Sequence, residues 1–185
     1  MPRKFASVPE IHFEEKRLKL LDDIGIGKDE LDQSTNHLEI KPEDVPIGNL
    51  MVDIEKRRSI ISKYYHDWKL QNPSLRKFNL SLNDYINIRF VSITETCTHA
   101  SRTYLSTLAV MQLDAILTNA KVVSTVPSKN NGNQKPFEKI IIMKYDCVGI
   151  GIIKMTVGVR RRTHEKVQYC ITALKTEKDV MTTSL

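Results

Sequence analysis

The fold is decided by residues 151–161, which read GIIKMTVGVRR. Apolar and polar residues alternate here with a period of two, which predicts a β-strand with one buried face. The apolar row is Ile153, Met155, Val157 and Val159, and the opposite row, called the polar row below, is Lys154, Thr156, Gly158 and Arg160. We expect the apolar row to pack on a helix and the polar row to face outward, as in an antiparallel sheet.

Neighbouring stretches extend this strand into a meander. Residues Phe137–Cys147 and Lys166–Lys175 are rich in branched and aromatic side chains, which favour strands. In the last strand Tyr169 is expected on the inward face. Arg162–Glu165 has the length of a hairpin connection, and Lys121–Thr125 is predicted to form a further short strand. Residues 85–93 also alternate and are predicted to be extended.

Two helices are predicted before and between these strands. The first runs from Asp53, a plausible N-cap, to Gln71, because the Asn72-Pro73 pair ends it. Its basic residues are interpreted as a solvated face: Lys56, Arg57, Arg58 and Lys63. The second is one long helix from about Thr98 to Asn119, with an apolar stripe suited to a sheet surface. The predicted class is therefore α+β, with N-terminal helices followed by an antiparallel β-meander packed on one long helix.

Charge divides the 185-residue chain into two regions. Residues 1–50 carry seven Lys and Arg against eleven Asp and Glu, whereas residues 51–185 carry twenty-one against eleven. We predict an acidic, loosely structured leader with one short helix over 1–50, a single α+β domain over 51–176 and a frayed tail over 177–185. The excess of positive charge over residues 51–185 indicates a polyanionic partner, of which nucleic acid is the leading candidate. The alternative is that the lysines simply keep the protein in solution.

Several classes of protein are disfavoured by what the sequence lacks. Its three cysteines form no Cys-x-x-Cys pair and its histidines show no zinc-ligand spacing, so no metal is expected. The apolar runs have the length of strands rather than of membrane helices, and no apolar signal segment follows Met1, so a cytoplasmic location without membrane contact is expected. Without a phosphate-binding loop, no small-molecule cofactor is expected.

Two groups of polar residues suggest chemistry. In the polar row, Lys154 and Arg160 with the Thr156 hydroxyl suit a phosphodiester, and the glycine permits close approach; the alternative is an ordinary solvated sheet face. At the predicted start of the long helix, Glu95, His99 and Arg102 suggest a cleft in which His99 is a general base or acid. There Glu95 orients His99 or pairs with Arg102, which projects toward the buried side. The alternative is a structural polar latch.

These motifs, in their order, resemble a known family. They are Ser92–Thr96 (SITET), Thr98–Arg102 (THASR), Leu113–Ala120 (LDAILTNA), Lys154–Val159 (KMTVGV) and Tyr169–Thr172 (YCIT). Together they resemble the phage-type domains of the barnase–EndoU–colicin–RelE-like nuclease class, which occur in bacterial prophages and conjugative elements. The resemblance covers roughly residues 85–175.

The resemblance implies a RelE/EndoU-like fold and metal-independent endoribonuclease activity, in which the ribose 2′-hydroxyl attacks the adjacent phosphate. Catalytic roles are then assigned to His99, Glu95, Lys154 and Thr156, and phosphate binding to Arg102, Arg160 and Thr172. RNA is the expected partner, together with an inhibitor or immunity protein. The alternative is a non-catalytic nucleic-acid-binding or protein-interaction module on the same fold. Because the polar row faces away from the long helix, Lys154 and His99 meet only if the sheet curls round the helix end.

Overall fold

The structure is a computed structural model that describes residues 40–174. This part of the chain has a mixed α+β fold, in which four helices pack with a curled, six-stranded sheet. The predicted fold class is thereby confirmed at the level of α+β. The predicted leader helix within 1–39 and the tail over 177–185 lie outside the described residues. Within residues 40–174, no helix is both long enough and apolar enough to span a bilayer.

The elements are numbered in chain order. The helices are α1 (Met51–Gln71), α2 (Phe90–Ala100), α3 (Tyr104–Val110) and α4 (Leu113–Asn119). The strands are β1 (Arg76–Asn79), β2 (Asp84–Asn87), β3 (Lys121–Pro127), β4 (Phe137–Cys147), β5 (Gly151–Arg160) and β6 (Lys166–Ala173). Short 3-10 turns lie at Pro42–Asp44 and Gly132–Gln134.

The sheet has the strand order β1-β2-β6-β5-β4-β3. The strands from β3 to β6 form the predicted antiparallel meander, and β2 joins β6 in parallel through the single pair Asn87 and Val167. The core lies between the helices and one face of the sheet, where the apolar row of β5 is buried as predicted. The opposite face, called the outer face below, carries Lys154, Thr156 and Thr172.

The predicted long helix over 98–119 is wrong, because the chain there forms the C-terminal part of α2 and then two further short helices. Helix α2 ends at Ala100, and the extended residue Thr103 is the N-cap of α3, where its hydroxyl accepts the Ser106 N–H at 3.2 Å. A second interruption at Gln112 separates α3 from α4. These breaks let three short segments follow the curled sheet, while Leu113, with other members of the predicted apolar stripe, still reaches the core.

The predicted strand over 85–93 is also wrong in its second half. Extended structure ends at Asn87, and α2 begins at Phe90. The backbone N–H of Arg89 donates to the Ser92 hydroxyl at 2.9 Å, which satisfies a donor at the helix start. Branched and aromatic residues favour strands only weakly. Here the helix cap and the packing of α2 on β6 outweigh that preference and stabilise a helix.

The first helix departs from prediction at two residues. It begins at Met51 rather than at Asp53. Asp53 is the third residue of the helix, and its carboxylate accepts the Leu50 N–H at 3.1 Å. Arg57, expected on the solvated face, is completely buried. It shares its helix face with Ile61, Tyr65 and Trp68, at steps of four, four and three residues, so the spacing that predicts burial for these three applied to Arg57 as well.

Helix α2 lies along β6 and contacts side chains from both faces of that strand. On the core side, Gln168 Nε2 donates to the Thr96 hydroxyl at 3.0 Å. On the outer side, the Cys170 thiol lies 3.9 Å from the Glu95 carbonyl oxygen. The two β6 residues lie on opposite faces because Gln168 is paired with Val157 of the apolar row and Cys170 with Thr156 of the polar row. A β-bulge at Tyr169 accommodates this arrangement.

Candidate functional site

The site is centred on a histidine–carboxylate pair in α2. Nε2 of His99 lies 3.6 Å from a carboxylate oxygen of Glu95, one helical turn earlier. The His99 side chain is 44% exposed and that of Glu95 only 13%, so the imidazole is accessible and the carboxylate beneath it is shielded. The pair was expected at the start of a long helix, but His99 lies in the last turn of α2. Of the two partners considered for Glu95, His99 and Arg102, the structure places His99 beside it.

The Glu95 carboxylate is held by groups outside α2. Nδ2 of Asn133 donates to Oε1 of Glu95 at 2.5 Å. Tyr169 of β6 also faces this carboxylate: burial first, and then the neighbouring Glu95, raise the pKa of Tyr169 to about 12. Tyr169 therefore stays neutral beside Glu95 at neutral pH. Because Glu95 is anchored in this way, it can fix the orientation of the His99 ring.

Cys170 connects this pair with the polar row of β5. Its thiol lies 3.9 Å from the Glu95 carbonyl oxygen, and Thr172, two residues further along β6, lies directly opposite Lys154. Burial first and the Glu95 charge second raise the pKa of the thiol to about 12, while the Lys154 ammonium acts in the opposite direction. The thiol itself is protonated at neutral pH, which disfavours a nucleophilic role.

The structure brings three of the predicted phosphate-contacting residues together. Lys154 of β5 lies directly opposite Thr172 of β6, and Thr156 lies opposite Cys170. Directly paired residues in an antiparallel sheet present their side chains on the same face. The Thr156 hydroxyl lies 3.4 Å from the Cys170 carbonyl oxygen, a distance at which it remains available to another acceptor. An ammonium and two hydroxyls thus share one half-buried area of the outer face.

Arg160 and Gly158 do not join this group. A Cβ on Gly158 would lie 2.5 Å from Cδ1 of Phe137, so the aromatic ring occupies the space that was expected to admit a ligand. Arg160 lies beyond this ring, opposite Phe137, with Nε 3.2 Å from a Glu165 carboxylate oxygen. The Nε–H is not aligned on an acceptor, so the contact is an ion pair rather than a hydrogen bond. The glycine of the polar row serves the packing of Phe137.

Arg102 also lies apart from the predicted arrangement. It follows the end of α2 and is exposed, instead of projecting toward the buried side. Among residues 40–174 it forms no ion pair with Glu95, and its backbone carbonyl accepts a long hydrogen bond of 3.4 Å from Arg57. The buried arginine at this end of α2 is therefore Arg57. The reason is the break after Ala100, which turns the chain before Arg102 can lie over the core.

Two residues of the site, Tyr169 and Asn133, were not predicted from the sequence to belong to it. Tyr169 was placed on the inward face by simple alternation, but the bulge in β6 directs it toward Glu95 and into edge-to-face contact with Phe137. Asn133 lies in the loop between β3 and β4, far from α2 in sequence. Neither has a local signal, since a bulge and a contact between distant segments are both set by packing.

The donor set suits acid–base chemistry more than metal binding. Among residues 40–174, no group of three His, Cys, Asp or Glu side chains is arranged to hold a metal ion. An imidazole oriented by a carboxylate is a general base or acid, and an ammonium with two hydroxyls can hold a phosphate. No protein-family model, curated protein or solved structure matches this chain.

Proposed function

We propose that this domain cleaves RNA without a metal ion, through attack of a ribose 2′-hydroxyl on the adjacent phosphate. The single observation that carries the proposal is the position of Cys170. Its thiol lies 3.9 Å from the Glu95 carbonyl oxygen, and Cys170 is paired with Thr156, next to the pair of Lys154 and Thr172. The order of the motifs also supports a RelE/EndoU-like member of the nuclease class. As a protein of a bacterial mobile element, it would be controlled by an inhibitor protein.

The roles follow from the chemistry of each group. His99 removes the proton of the 2′-hydroxyl, the 2′ oxygen forms a bond to phosphorus, and the bond to the 5′ oxygen breaks with a proton supplied by solvent. Lys154 stabilises the additional negative charge of the pentacovalent phosphate, and Thr156 and Thr172 donate hydrogen bonds to its oxygens. Glu95 positions the imidazole and pairs with it once it is protonated.

The test is cleavage of labelled RNA by the full chain in EDTA. We expect cleavage that leaves 2′,3′-cyclic phosphate ends, and a loss of about 100-fold or more in His99→Ala, in the range of acid–base catalysis. His66→Ala is the matched control, because His66 is an exposed histidine of α1. The proposal fails if RNA stays intact, or if the double variant His99→Ala/Lys154→Gln cleaves as well as the wild type.

A second function, RNA binding without cleavage, is favoured by one observation. The Lys154 ammonium and the hydroxyls of Thr156 and Thr172 share one area of the outer face, and these groups offer a phosphate positive charge and hydrogen-bond donors without His99. Salt-dependent RNA binding without turnover, weakened by Lys154→Gln but not by His99→Ala, would select this function over the nuclease.

A further inference from the structure

Three lysines form a row across the outer face of the sheet, at right angles to the strands. Lys121 of β3 lies directly opposite Lys144 of β4, and Lys144 lies directly opposite Lys154 of β5. The row continues to Thr172 of β6. Directly opposite residues project from the same face, and neighbouring strands lie about 4.8 Å apart. The three lysines therefore form a continuous strip of positive charge that leads from the candidate site to the β3 edge.

Among residues 40–174, the three lysines of the row differ from the other strand lysines in having no acidic partner. Lys77 pairs with Asp114, Lys139 with Glu138 and Lys166 with Asp84. Within residues 40–174, none of the three lysines of the row forms an ion pair with a carboxylate. The described strands contain six lysines. Three of them pair with a carboxylate, and the three that do not are the ones that lie side by side.

Such an arrangement is unfavourable for the isolated sheet. Like charges directly opposite each other on neighbouring strands are destabilising, and a carboxylate beside any one of them would relieve the repulsion. Lys121 and Lys144 are exposed and Lys154 is half-buried, so their ammonium groups are accessible. A bound polyanion with regularly spaced charges would neutralise the whole row at once, which a single acidic side chain cannot do.

We propose that this row binds the phosphate backbone of single-stranded RNA and carries it from the candidate site toward β3. The inference rests on the proposed function, which it deepens by giving the path of the substrate. Charge complementarity selects a polyanion. The position of the row beside Thr172 and Thr156 makes that polyanion continuous with the phosphate to be cleaved. A single strand fits because its backbone is free to follow the sheet surface and to place a 2′-hydroxyl in line with the adjacent phosphate.

The experiment measures binding of a 2′-O-methyl oligonucleotide, which lacks the attacking hydroxyl, by the full chain over a range of salt concentrations. Each phosphate contact in a single strand contributes about 0.7 to the slope of log K against log salt. We expect Lys121→Gln and Lys144→Gln each to reduce the slope by about 0.7 and to weaken binding several-fold at low salt. Lys139→Gln, on the same strand as Lys144 but paired with Glu138, is the matched control and should leave the slope unchanged.

The outcomes separate the inference from the proposed function. If RNA is cleaved but Lys121→Gln and Lys144→Gln behave like Lys139→Gln, the path of the substrate is wrong and the nuclease stands. If the oligonucleotide binds with the expected loss of slope but RNA is never cleaved, the row stands and the nuclease fails. Absence of oligonucleotide binding overturns the row. If the binding of a double-stranded probe is weakened by the lysine substitutions as much as the binding of the single strand, the assignment to single strands is wrong.

Discussion

Nε of Arg57 donates a hydrogen bond to the backbone carbonyl of Ser101 at 2.7 Å, deep in the core and directly after the helix that carries His99. Nη1 of the same guanidinium donates to the carbonyls of Pro46 at 2.7 Å and Gly48 at 2.6 Å. The buried cation is thus solvated by peptide oxygens, and those at the end of α2 carry the negative end of the helix dipole. Arg57 thereby ties α1 to the segment directly after α2, next to the helical turn that carries His99.

The first prediction concerns this guanidinium. Arg57→Lys keeps the charge, but a single ammonium on a shorter stem cannot reach the carbonyls before α1 and the carbonyl after α2 at the same time, so at least one buried acceptor is left unpaired. We expect a loss of about 1–3 kcal/mol in the free energy of unfolding, measured by urea denaturation. Arg58→Lys, at the exposed neighbouring position, is the control. Equal stability of the two variants would show that the carbonyl contacts of Arg57 contribute nothing.

The second prediction concerns the buried hydrogen bonds between α1, α2 and β6. The Tyr65 hydroxyl donates to Oε1 of Gln168 at 2.8 Å, and Gln168 donates in turn to Thr96 at 3.0 Å. Tyr65→Phe removes the donor and leaves a buried amide oxygen unsatisfied, for an expected loss of about 1–3 kcal/mol. Tyr145→Phe, at a half-buried tyrosine packed against the same core, serves as the control. A smaller effect at Tyr65 than at Tyr145 would contradict the assignment.

The third prediction concerns the close approach of Phe137 to Gly158. A methyl group at Gly158 would meet the ring at 2.5 Å, so Gly158→Ala is expected to destabilise the sheet by about 1–3 kcal/mol through overpacking. In a Phe137→Leu background the obstructing ring is absent, and the same substitution should cost less. A double-mutant cycle of urea denaturations measures the difference. Equal costs in the two backgrounds would rule out the steric explanation.

The fourth prediction concerns stability at alkaline pH. Cys170, with an ordinary pKa of 9.0, and Tyr169, with one of 10.0, both have their pKa raised to about 12 in the folded protein, first by burial and then by Glu95. The folded state therefore retains protons that the unfolded chain releases. The contribution of these two groups to stability should be complete below about pH 8 and be lost as the pH rises through 9 toward 12.

The measurement is the urea midpoint at pH 7, 9 and 10.5. Burial also raises the pKa of Tyr64, Tyr65 and Cys97, so these groups contribute to the same decline. Cys170→Ser removes one contributor and should make the decline less steep, whereas Cys147→Ser should follow the wild type. A decline that is identical in all three proteins would mean that Cys170 does not contribute to it.

Much of the fold was predictable because its signals are local. Alternation over 151–161 identified β5 and its buried row, and the branched stretches on either side identified β4 and β6. The helix over 98–119 was not predictable, because a continuous apolar stripe hides breaks that are set by the curvature of the sheet beneath it. Burial of Arg57 was visible in its spacing from Ile61, but a charged residue is ordinarily placed on the surface.

The sequence by itself determined an α+β fold, the inward row of β5, and the residue types available for phosphate and acid–base chemistry. Only the tertiary structure decided which of them meet. A local pattern cannot place a helix and a strand that are far apart in the sequence, so the position of α2 relative to β5 and β6 could not be read from either segment. The placement of α2 along β6, where it reaches both faces, joined Glu95 to Cys170 and the polar row. Register between strands, which depends on pairing far apart in the chain, aligned Lys121, Lys144 and Lys154.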